Sequence, residues 1–259
     1  MALTNNQKKK IVALLERKLD DKLRRYTRET FSMPFLTRLI QDSSKVAAYS
    51  FIHSIATTLG MSIYEDVSKI IAEETAKECF TKYDIGGAIS RDQKSVIDDI
   101  VRKLRNGEKP VNHSEEVKLV LRASAKDGKS QKEGRKADFY MLRDGKEYYF
   151  EIKTVKPNID IFTKSKTKLL EWIARRRKPV KVFLAFPYNP YHPQPYERFT
   201  EQGVLERDKE FLIGEEYWDF LGGKGMFEPL LDLFDSVGKK FKNKIQQKID
   251  QVAREKMVD

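Results

Sequence analysis

Two acidic residues and one lysine in the middle of the chain form a pattern that could carry chemistry. Twelve residues separate Asp138 from the string Glu151-Ile152-Lys153, and the pair Asp144-Gly145 lies between them. An Asp-Gly pair flanked by alternating apolar residues is typical of a tight hairpin turn. Glu151 and Lys153 lie two apart, so both point to the same face of a strand. We therefore expect the hairpin to bring two carboxylates and one amine together.

This set of groups suits metal-assisted hydrolysis of a phosphodiester. Two carboxylates can hold one or two Mg²⁺ ions through oxygen ligands, and the carbonyl of Ile152 could supply another. A bound ion lowers the pKa of a water molecule and neutralises charge on the phosphate. Lys153 could orient or deprotonate that water and stabilise the transition state. The predicted metal ligands are thus Asp138, Glu151 and Ile152. The alternative is a surface hairpin with a cross-strand salt bridge, because Glu-X-Lys strings are common.

The charge of the chain indicates a polyanionic partner such as DNA. The formal net charge is +11 and the isoelectric point is near 9.4, and basic residues gain affinity by releasing counterions from phosphates. A merely basic soluble protein is the alternative. Basic residues on both sides of the motif could contact phosphates without reading sequence. The candidates for these contacts are Lys126, Lys129, Lys132, Arg135, Lys136, Lys156, Lys164 and Lys166.

Polar residues near the motif could read base edges in a DNA groove. Asn158 follows Lys153 closely, and a proline-rich loop carries Tyr188, Asn189 and His192. Loops of this composition also commonly pack on a protein surface. The run Arg175 to Lys178 could clamp DNA, or it could place favourable positive charge at the end of a helix.

The elements around the motif predict an α/β fold, in which helices flank a mixed sheet. We expect a 1–60 N-terminal helical region suited to dimerisation, a 61–213 nuclease core and a 214–259 C-terminal helical extension. Periodicity and breaking residues predict helices at 5–28, 34–40, 44–59, 62–79, 91–105, 163–177 and 215–256, the last with a break at 222–225. The same patterns predict strands at 117–121, 137–142, 147–155, 180–186 and 206–213.

Several other classes of protein lack their sequence signals. A single cysteine, Cys79, excludes an internal disulfide and a paired-cysteine zinc site, and we expect it to be a small core residue. His113 has no matching partners at metal-ligand spacing. No phosphate-binding Gly-x-x-x-x-Gly-Lys-Ser/Thr loop is present. No apolar run of about eighteen residues and no secretory signal are found, so we expect no membrane partner and a cytoplasmic location.

The motif resembles a known family of nucleases. Asp138 with Glu151-Ile-Lys153 is similar to the PD-(D/E)xK signature of many type II restriction endonucleases, although Ala137 stands where that signature often has proline. The strings 134–140 and 148–158 resemble the TdeIII-type enzymes, which cut GGNCC-like sites, and so do 30–35 and 214–221. The resemblance implies a restriction-endonuclease-like fold and Mg²⁺-dependent cleavage of double-stranded DNA at a palindromic site. It further implies a homodimer in a prokaryotic cytoplasm.

The resemblance also implies a further acidic residue on a helix before the hairpin. Glu65 is the candidate, with Glu73 and Glu74 behind it. Glu65 could equally be the third residue of a capping box that begins at Ser62. Two other functions stay open at this point. One is a repair or recombination nuclease that selects DNA structure, and the other is a non-catalytic DNA-binding protein.

Overall fold

The chain forms two compact units, and one of them has a mixed α/β architecture. The computed structural model describes residues 3–26, 34–129, 134–154, 157–197 and 203–254. One unit is Ile71–Gly225, and the other joins Ala2–Ile70 with Met226–Asp259. A five-stranded sheet with flanking helices confirms the predicted fold class. The roles assigned to 1–60, 61–213 and 214–259 stay a prediction.

The helices occur at both ends of the chain and between the strands. A π-helical turn, Leu59–Ile63, joins α3 to α4. The helices are α1 (Asn5–Arg25), α2 (Pro34–Ile40), α3 (Ser43–Thr58), α4 (Tyr64–Ala72), α5 (Arg91–Arg105), α6 (His113–Arg122), α7 (Ile159–Arg176), α8 (Arg207–Glu210), α9 (Glu215–Gly222) and α10 (Phe227–Arg254).

The sheet lies wholly in the Ile71–Gly225 unit and follows the order of the chain. Its strands are β1 (Glu78–Asp84), β2 (Lys136–Arg143), β3 (Lys146–Ile152), β4 (Lys181–Phe186) and β5 (Phe211–Ile213). The first three strands pair antiparallel, whereas β4 and β5 run parallel to β3. The parallel step needs a crossover connection, and α7 supplies it.

The hairpin between β2 and β3 confirms the predicted turn. Asp144 and Gly145 have φ angles of 50° and 70°, and the flanking residues Arg143 and Lys146 are paired. Positive φ at both central residues defines the type I′ turn, whose twist matches that of the strands. Glycine adopts such an angle without steric cost, and aspartate tolerates it. The Asp-Gly pair therefore fixes which residues of β2 and β3 face each other.

Helix α7 covers the sheet with its apolar face. Leu169, Leu170, Trp172 and Ile173 are all fully buried, as their helical spacing predicted. The indole Nε1 of Trp172 donates to the carbonyl oxygen of Gly134 at 2.8 Å. Gly134 has a φ of +67°, and a Cβ there would lie 2.5 Å from a carboxylate oxygen of α7. A larger residue there would strain the backbone and displace the end of the Glu171 side chain, so glycine suits the entry into β2 beside α7.

Two predicted elements around residue 70 are wrong. The predicted helix 62–79 ends at Ala72, and Cys79 lies instead in β1, where it is buried. The capping box at Ser62 does not form, because Ser62 lies inside the π-helical turn. Its hydroxyl accepts from Lys18 Nζ at 3.0 Å. The continuous helical backbone leaves no free N-terminus for Ser62 to cap.

The predicted strand 117–121 is also wrong, because these residues lie in α6. Asn112 caps this helix by accepting a hydrogen bond from the backbone N–H of Glu115 at 3.0 Å. Val117 and Val120 are buried three residues apart, which is the spacing of one helix face. A short apolar run is compatible with either a strand or a helix. Here the N-cap residue Asn112 favours the helix. Of the predicted strand 206–213, only β5 is strand.

In its described residues, the second unit contains helices and no strand. Helix α10 packs against α1 and α3. Tyr26, Phe51 and Val252 belong to its apolar cluster, and the rings of Tyr26 and Phe51 meet edge to face at 4.9 Å. Among the described residues, no helix combines the length and the apolar character needed to cross a membrane.

A buried ion network ties together three helices of the first unit. Lys166 of α7 is fully buried, and its Nζ lies 2.5 Å from Glu116 of α6 and 2.6 Å from Glu210 of α8. His113 Nδ1 lies 3.0 Å from the other oxygen of Glu210. Burial alone would raise the pKa of Glu210, but the charges and hydrogen bonds of Lys166 and His113 together outweigh it and lower that pKa to about 2. Lys166 thus serves the packing of this unit.

We predict that Lys166→Met destabilises the Ile71–Gly225 unit. Loss of one partner leaves Glu116 and Glu210 as uncompensated buried charges, which should lower the free energy of unfolding by about 3–5 kcal/mol. Urea unfolding followed by tryptophan fluorescence measures this unit alone, because Trp172 and Trp218 are the two tryptophans of the chain and both lie in it. The exposed Lys118 provides the control Lys118→Met, expected within about 0.5 kcal/mol of wild type. An equally small effect of Lys166→Met would contradict the prediction.

Candidate active site

The register of the hairpin places the two predicted carboxylates opposite each other. Phe139 of β2 pairs with Phe150 of β3, so one step further along the ladder Asp138 faces Glu151. Directly opposed residues of an antiparallel pair share one face of the sheet. The backbone N–H of Ile152 donates to Asp138 Oδ2 at 2.8 Å. The hairpin therefore brings Asp138 and Glu151 together, as their spacing predicted.

Lys153 completes the predicted trio just beyond the end of β3. Its backbone N–H donates to the carbonyl oxygen of Ala185 in β4 at 2.9 Å, which fixes the residue although β3 has ended. Its Nζ lies 2.8 Å from Glu151 Oε1, and about a third of the side chain is exposed. The amine is therefore held against a carboxylate while it stays accessible to a substrate.

A second lysine, Lys168 of α7, also reaches the carboxylates. Its Nζ lies 3.5 Å from Glu151 Oε1 and 5.3 Å from the centre of the Trp172 ring. The sequence shows Lys168 only as one basic residue among several after the motif. The i, i+4 spacing from Trp172 could have indicated a shared helix face. No feature of the sequence indicated that this face meets Glu151.

The two carboxylates differ in their affinity for protons. Burial raises the pKa of Asp138 above its ordinary value, and the charge of Lys168 offsets this only in part. Burial also favours a raised pKa at Glu151, but the positive charges of Lys168 and Lys153, together with hydrogen bonds from Lys153 and Ser165, outweigh it and lower that pKa. The Glu151 carboxylate is therefore stabilised in its ionised form, whereas Asp138 bears a desolvated charge that a cation would stabilise.

The donor set fits a hard divalent cation such as Mg²⁺. Glu151 is buried, and its Oε1 lies within 3.5 Å of both Lys153 Nζ and Lys168 Nζ, at a position where a cation would be stabilised. Asp138 adds a second carboxylate at the opposed position. The N–H of Ile152 points toward β2, and the carbonyl of a strand residue points to the same side as its N–H. Oxygen donors of this kind are the ligands that Mg²⁺ prefers.

A second group of possible metal ligands was missed by the sequence analysis. Ligand atoms of His113, Glu116 and Glu210 lie within 4.8 Å of one another, although no partner for His113 was evident from spacing. The ammonium group of Lys166 lies between the two carboxylates. A cation of the chain itself therefore fills this cluster, which does not fit a metal site.

The residues predicted to contact phosphates fall into three groups. Lys166 is wrong as a DNA contact, because it is fully buried in the ion network. Lys132 and Lys156 lie outside the described residues. The rest stay predictions: Arg135 forms an ion pair with Asp84, and the exposed side chains are Lys126, Lys129, Lys136 and Lys164.

The run at the end of α7 has structural partners. Arg176 and Lys178 both bind the carboxylate of Glu147, at 2.7 and 2.9 Å. Arg175 is buried, and its guanidinium donates to the carbonyl oxygen of Gly87 at 3.2 Å. Arg175 and Arg176 lie in the last turn of α7. These contacts favour a role of the run in stabilising the end of the helix.

The residues predicted to read bases also hold the local backbone. Asn158 caps α7, and its side chain accepts from the N–H of Ile161 at 3.0 Å. Asn189 accepts from the N–H of Tyr191 within its own loop. The hydroxyl of Tyr188 donates to the carbonyl oxygen of Thr154, so this loop is anchored beside Lys153. His192 is exposed. Base reading by these residues stays a prediction.

Glu65 lies in α4, in the unit that holds both ends of the chain. Its side chain is buried, and the capping box that offered an alternative role does not form. Its membership of the catalytic set stays a prediction.

Comparison with known proteins gives consistent matches. A family model described as "Type II restriction endonuclease, HinfI" matches residues 3–238. The type II restriction enzyme MjaII of Methanocaldococcus jannaschii is 32% identical over 206 residues, which cover 72% of this chain and 54% of MjaII. The type II restriction enzyme HgiEI of Herpetosiphon aurantiacus is 28% identical over 223 residues, covering 83% of this chain and 81% of HgiEI. The chain thus spans about half the length of MjaII and most of HgiEI.

We predict that Asp138→Asn stabilises the metal-free protein at neutral pH. Above the ordinary aspartate pKa of about 4, the folded wild type must hold a charge that burial disfavours, and the variant does not. Because the folded pKa is raised, wild-type stability falls relative to the variant as pH rises from the ordinary to the raised value. The difference should close again below pH about 4.

Urea unfolding at several pH values in EDTA measures this difference. Asp98→Asn, at an exposed position of α5, controls for the substitution itself and should change stability by at most about 0.5 kcal/mol. An Asp138→Asn protein that is less stable than wild type at neutral pH would show that Asp138 is not strained by burial.

Proposed function

The chain belongs to the HinfI family of type II restriction endonucleases, and on this premise we propose that it is a Mg²⁺-dependent nuclease that cleaves double-stranded DNA in a prokaryotic cytoplasm. The observation that carries the proposal is the opposition of Asp138 and Glu151 on one sheet face, with Lys153 Nζ 2.8 Å from Glu151. This arrangement is the one expected of the PD-(D/E)xK chemistry that the motif resembles.

The side chains can divide the work of hydrolysis between them. In the reaction, the oxygen of a water molecule bonds to phosphorus, one P–O bond breaks, and the departing oxygen takes up a proton. Lys153 is placed to orient the water and to stabilise the charge that develops on the phosphate oxygens. Asp138 and Glu151, with the carbonyl of Ile152, would hold Mg²⁺. The ion would supply a water of lowered pKa and neutralise phosphate charge.

The preferred substrate is a short palindromic site of the GGNCC type. The strings 134–140 and 148–158, which resemble the TdeIII-type enzymes, support this choice. The loop that carries Tyr188 and Asn189 is anchored to Thr154 beside the catalytic lysine. Such a loop has a fixed position from which side chains could reach a groove. Exposed Lys126, Lys129, Lys136 and Lys164 would add contacts to phosphates.

A palindromic site calls for a two-fold dimer, with one active site for each DNA strand. The helices near the N-terminus expose large apolar side chains that support such an interface. Phe35 and Leu39 of α2 are 88% and 80% exposed, and Tyr49 and Ile52 of α3 are also exposed. Large apolar side chains exposed on neighbouring helices are typical of an interaction surface when they form a patch. We propose that these helices contribute to a homodimer.

We predict that the wild-type protein cuts mixed-sequence duplex DNA into discrete fragments in Mg²⁺ and leaves it intact in EDTA. Glu151→Gln and Lys153→Met should each lower the single-turnover rate by at least about 100-fold, because each removes a group that contacts the ion or the reacting phosphate. Glu108→Gln, at an exposed site after α5, is the matched control and should cut normally. Gel analysis of the fragments measures all four proteins.

The pattern of cleavage separates the alternatives. Cutting of a duplex that contains GGNCC, with a scrambled duplex left intact, supports the proposed site. Discrete cutting elsewhere rejects GGNCC but keeps the restriction activity. Cleavage confined to flaps or junctions indicates a structure-selective nuclease. If the DNA stays intact, and if the protein binds it in a salt-sensitive way that EDTA does not change, the chain is a non-catalytic DNA-binding protein. That outcome contradicts the proposed activity.

We predict that Phe35→Asp or Leu39→Asp weakens the dimer by at least about 2 kcal/mol, as loss of a central apolar contact does. Sedimentation equilibrium measures the dissociation constant. Phe80→Asp, at an exposed position of β1 in the other unit, controls for adding a charge to a surface and should leave the constant unchanged. A wild-type chain that sediments as a monomer with and without DNA would contradict the proposed homodimer.

A further inference from the structure

Lys168 stands close enough to the two carboxylates to belong to the catalytic set. Its Nζ shares Glu151 Oε1 with Lys153, at 3.5 and 2.8 Å respectively. We propose that Lys168 is a second active-site lysine, which occupies the cation position beside Glu151 in the ion-free protein and contacts the scissile phosphate in the loaded enzyme. This inference rests on the proposed nuclease function and deepens it.

The position of Lys168 is built into the fold. Trp172 lies one helical turn after it, and the Lys168 ammonium group lies over the indole ring at 5.3 Å, within the range of a cation–π contact. Trp172 itself is fully buried and bonded to Gly134. The ring therefore acts as a fixed support that holds the flexible lysine toward Glu151.

The influence of Lys168 extends to both carboxylates. It is the strongest single charge that lowers the pKa of Asp138, ahead of Lys153, and it is also the strongest such charge at Glu151. The geometry thus places the ammonium group of Lys168 in the field of the Asp138–Glu151 pair, where a divalent ion would also bind.

The charges of the site balance only when Lys168 is counted. Asp138 and Glu151 bring two negative charges, and Lys153 and Lys168 bring two positive charges. A divalent ion would leave an excess of two positive charges. Attack of hydroxide on a phosphate diester gathers about two negative charges in the transition state. With Lys168 the loaded site matches this charge, and without it the site falls one charge short.

The exposure of Lys168 allows it to change partners. Its side chain is 23% exposed, whereas that of Glu151 is 6% exposed. An ammonium group on a flexible stem can turn from a carboxylate to a nearby phosphate oxygen while the stem stays on the indole ring. Replacement of Lys168 by an uncharged residue should therefore have opposite effects on ion binding and on the cleavage rate. Removal of the charge should favour ion binding and should slow cleavage.

The test uses the full chain with Lys168→Met, which keeps an unbranched apolar stem over Trp172 and removes the charge. Mn²⁺ binding to the DNA-free protein, followed by electron paramagnetic resonance, should become tighter because a competing cation is gone. Single-turnover cleavage in Mg²⁺ should fall by about 100-fold, with DNA binding in Ca²⁺ retained. Lys168→Arg, which restores the charge, should recover part of the rate. Lys118→Met, at an exposed site of α6, should change neither measurement.

The outcomes separate this inference from the proposed function. Wild-type protein that fails to cut DNA overturns the nuclease function and the inference with it. Wild-type protein that cuts, with Lys168→Met cutting at the same rate, overturns the role of Lys168 alone. Unchanged or weaker Mn²⁺ binding by Lys168→Met overturns its place at the cation position. A lowered thermal midpoint together with slow cleavage and weaker Mn²⁺ binding would reduce Lys168 to a structural residue.

Discussion

The pairing of β2 with β3 is the constraint on which the rest of the structure depends. Side chains alternate between the two faces of a strand, so a shift of one residue in register would move Glu151 away from Asp138 to the opposite side of the sheet. The type I′ turn at Asp144-Gly145 prevents that shift. The same register puts Tyr140 beside Tyr149, with ring centres 5.1 Å apart. The packing of the core and the geometry of the candidate site thus require the same register of β2 and β3.

Buried charge shapes the Ile71–Gly225 unit at two sites with different outcomes. At Lys166, two carboxylates and one ammonium group are fully enclosed, and the chain supplies its own compensation. At Asp138 and Glu151, two lysines balance the two carboxylates, but both lysines are partly exposed and the pKa of Asp138 is raised. The fully enclosed lysine serves packing, whereas the two partly exposed lysines stay accessible to a phosphate group.

The sequence predicted the parts of this design that depend on local rules. The hairpin, β4, α5 and α7 were all predicted from period, turn residues and apolar runs, and the trio Asp138, Glu151 and Lys153 followed from one turn and one strand. The predictions were wrong where tertiary contacts determine the secondary structure or the burial of a residue. Edge strand β1 has little alternation, α6 has an apolar run suited to either state, and Lys166 and Lys168 look alike in a basic helix. These two lysines lie two residues apart and therefore on different faces of the helix. Lys166 faces the buried ion network, whereas Lys168 faces Glu151.

The hydrogen bond from Lys153 N–H to Ala185 has a consequence for synthesis on the ribosome. Asp138, Glu151, Lys153 and Lys168 leave the exit tunnel before β4 does, because β4 begins at Lys181. The local hairpin can form first, but the backbone of Lys153 reaches its final position only when Ala185 is beside it. A growing chain therefore carries every member of the set before it can lock their geometry. The proposed active site is therefore complete only after β4 has been translated.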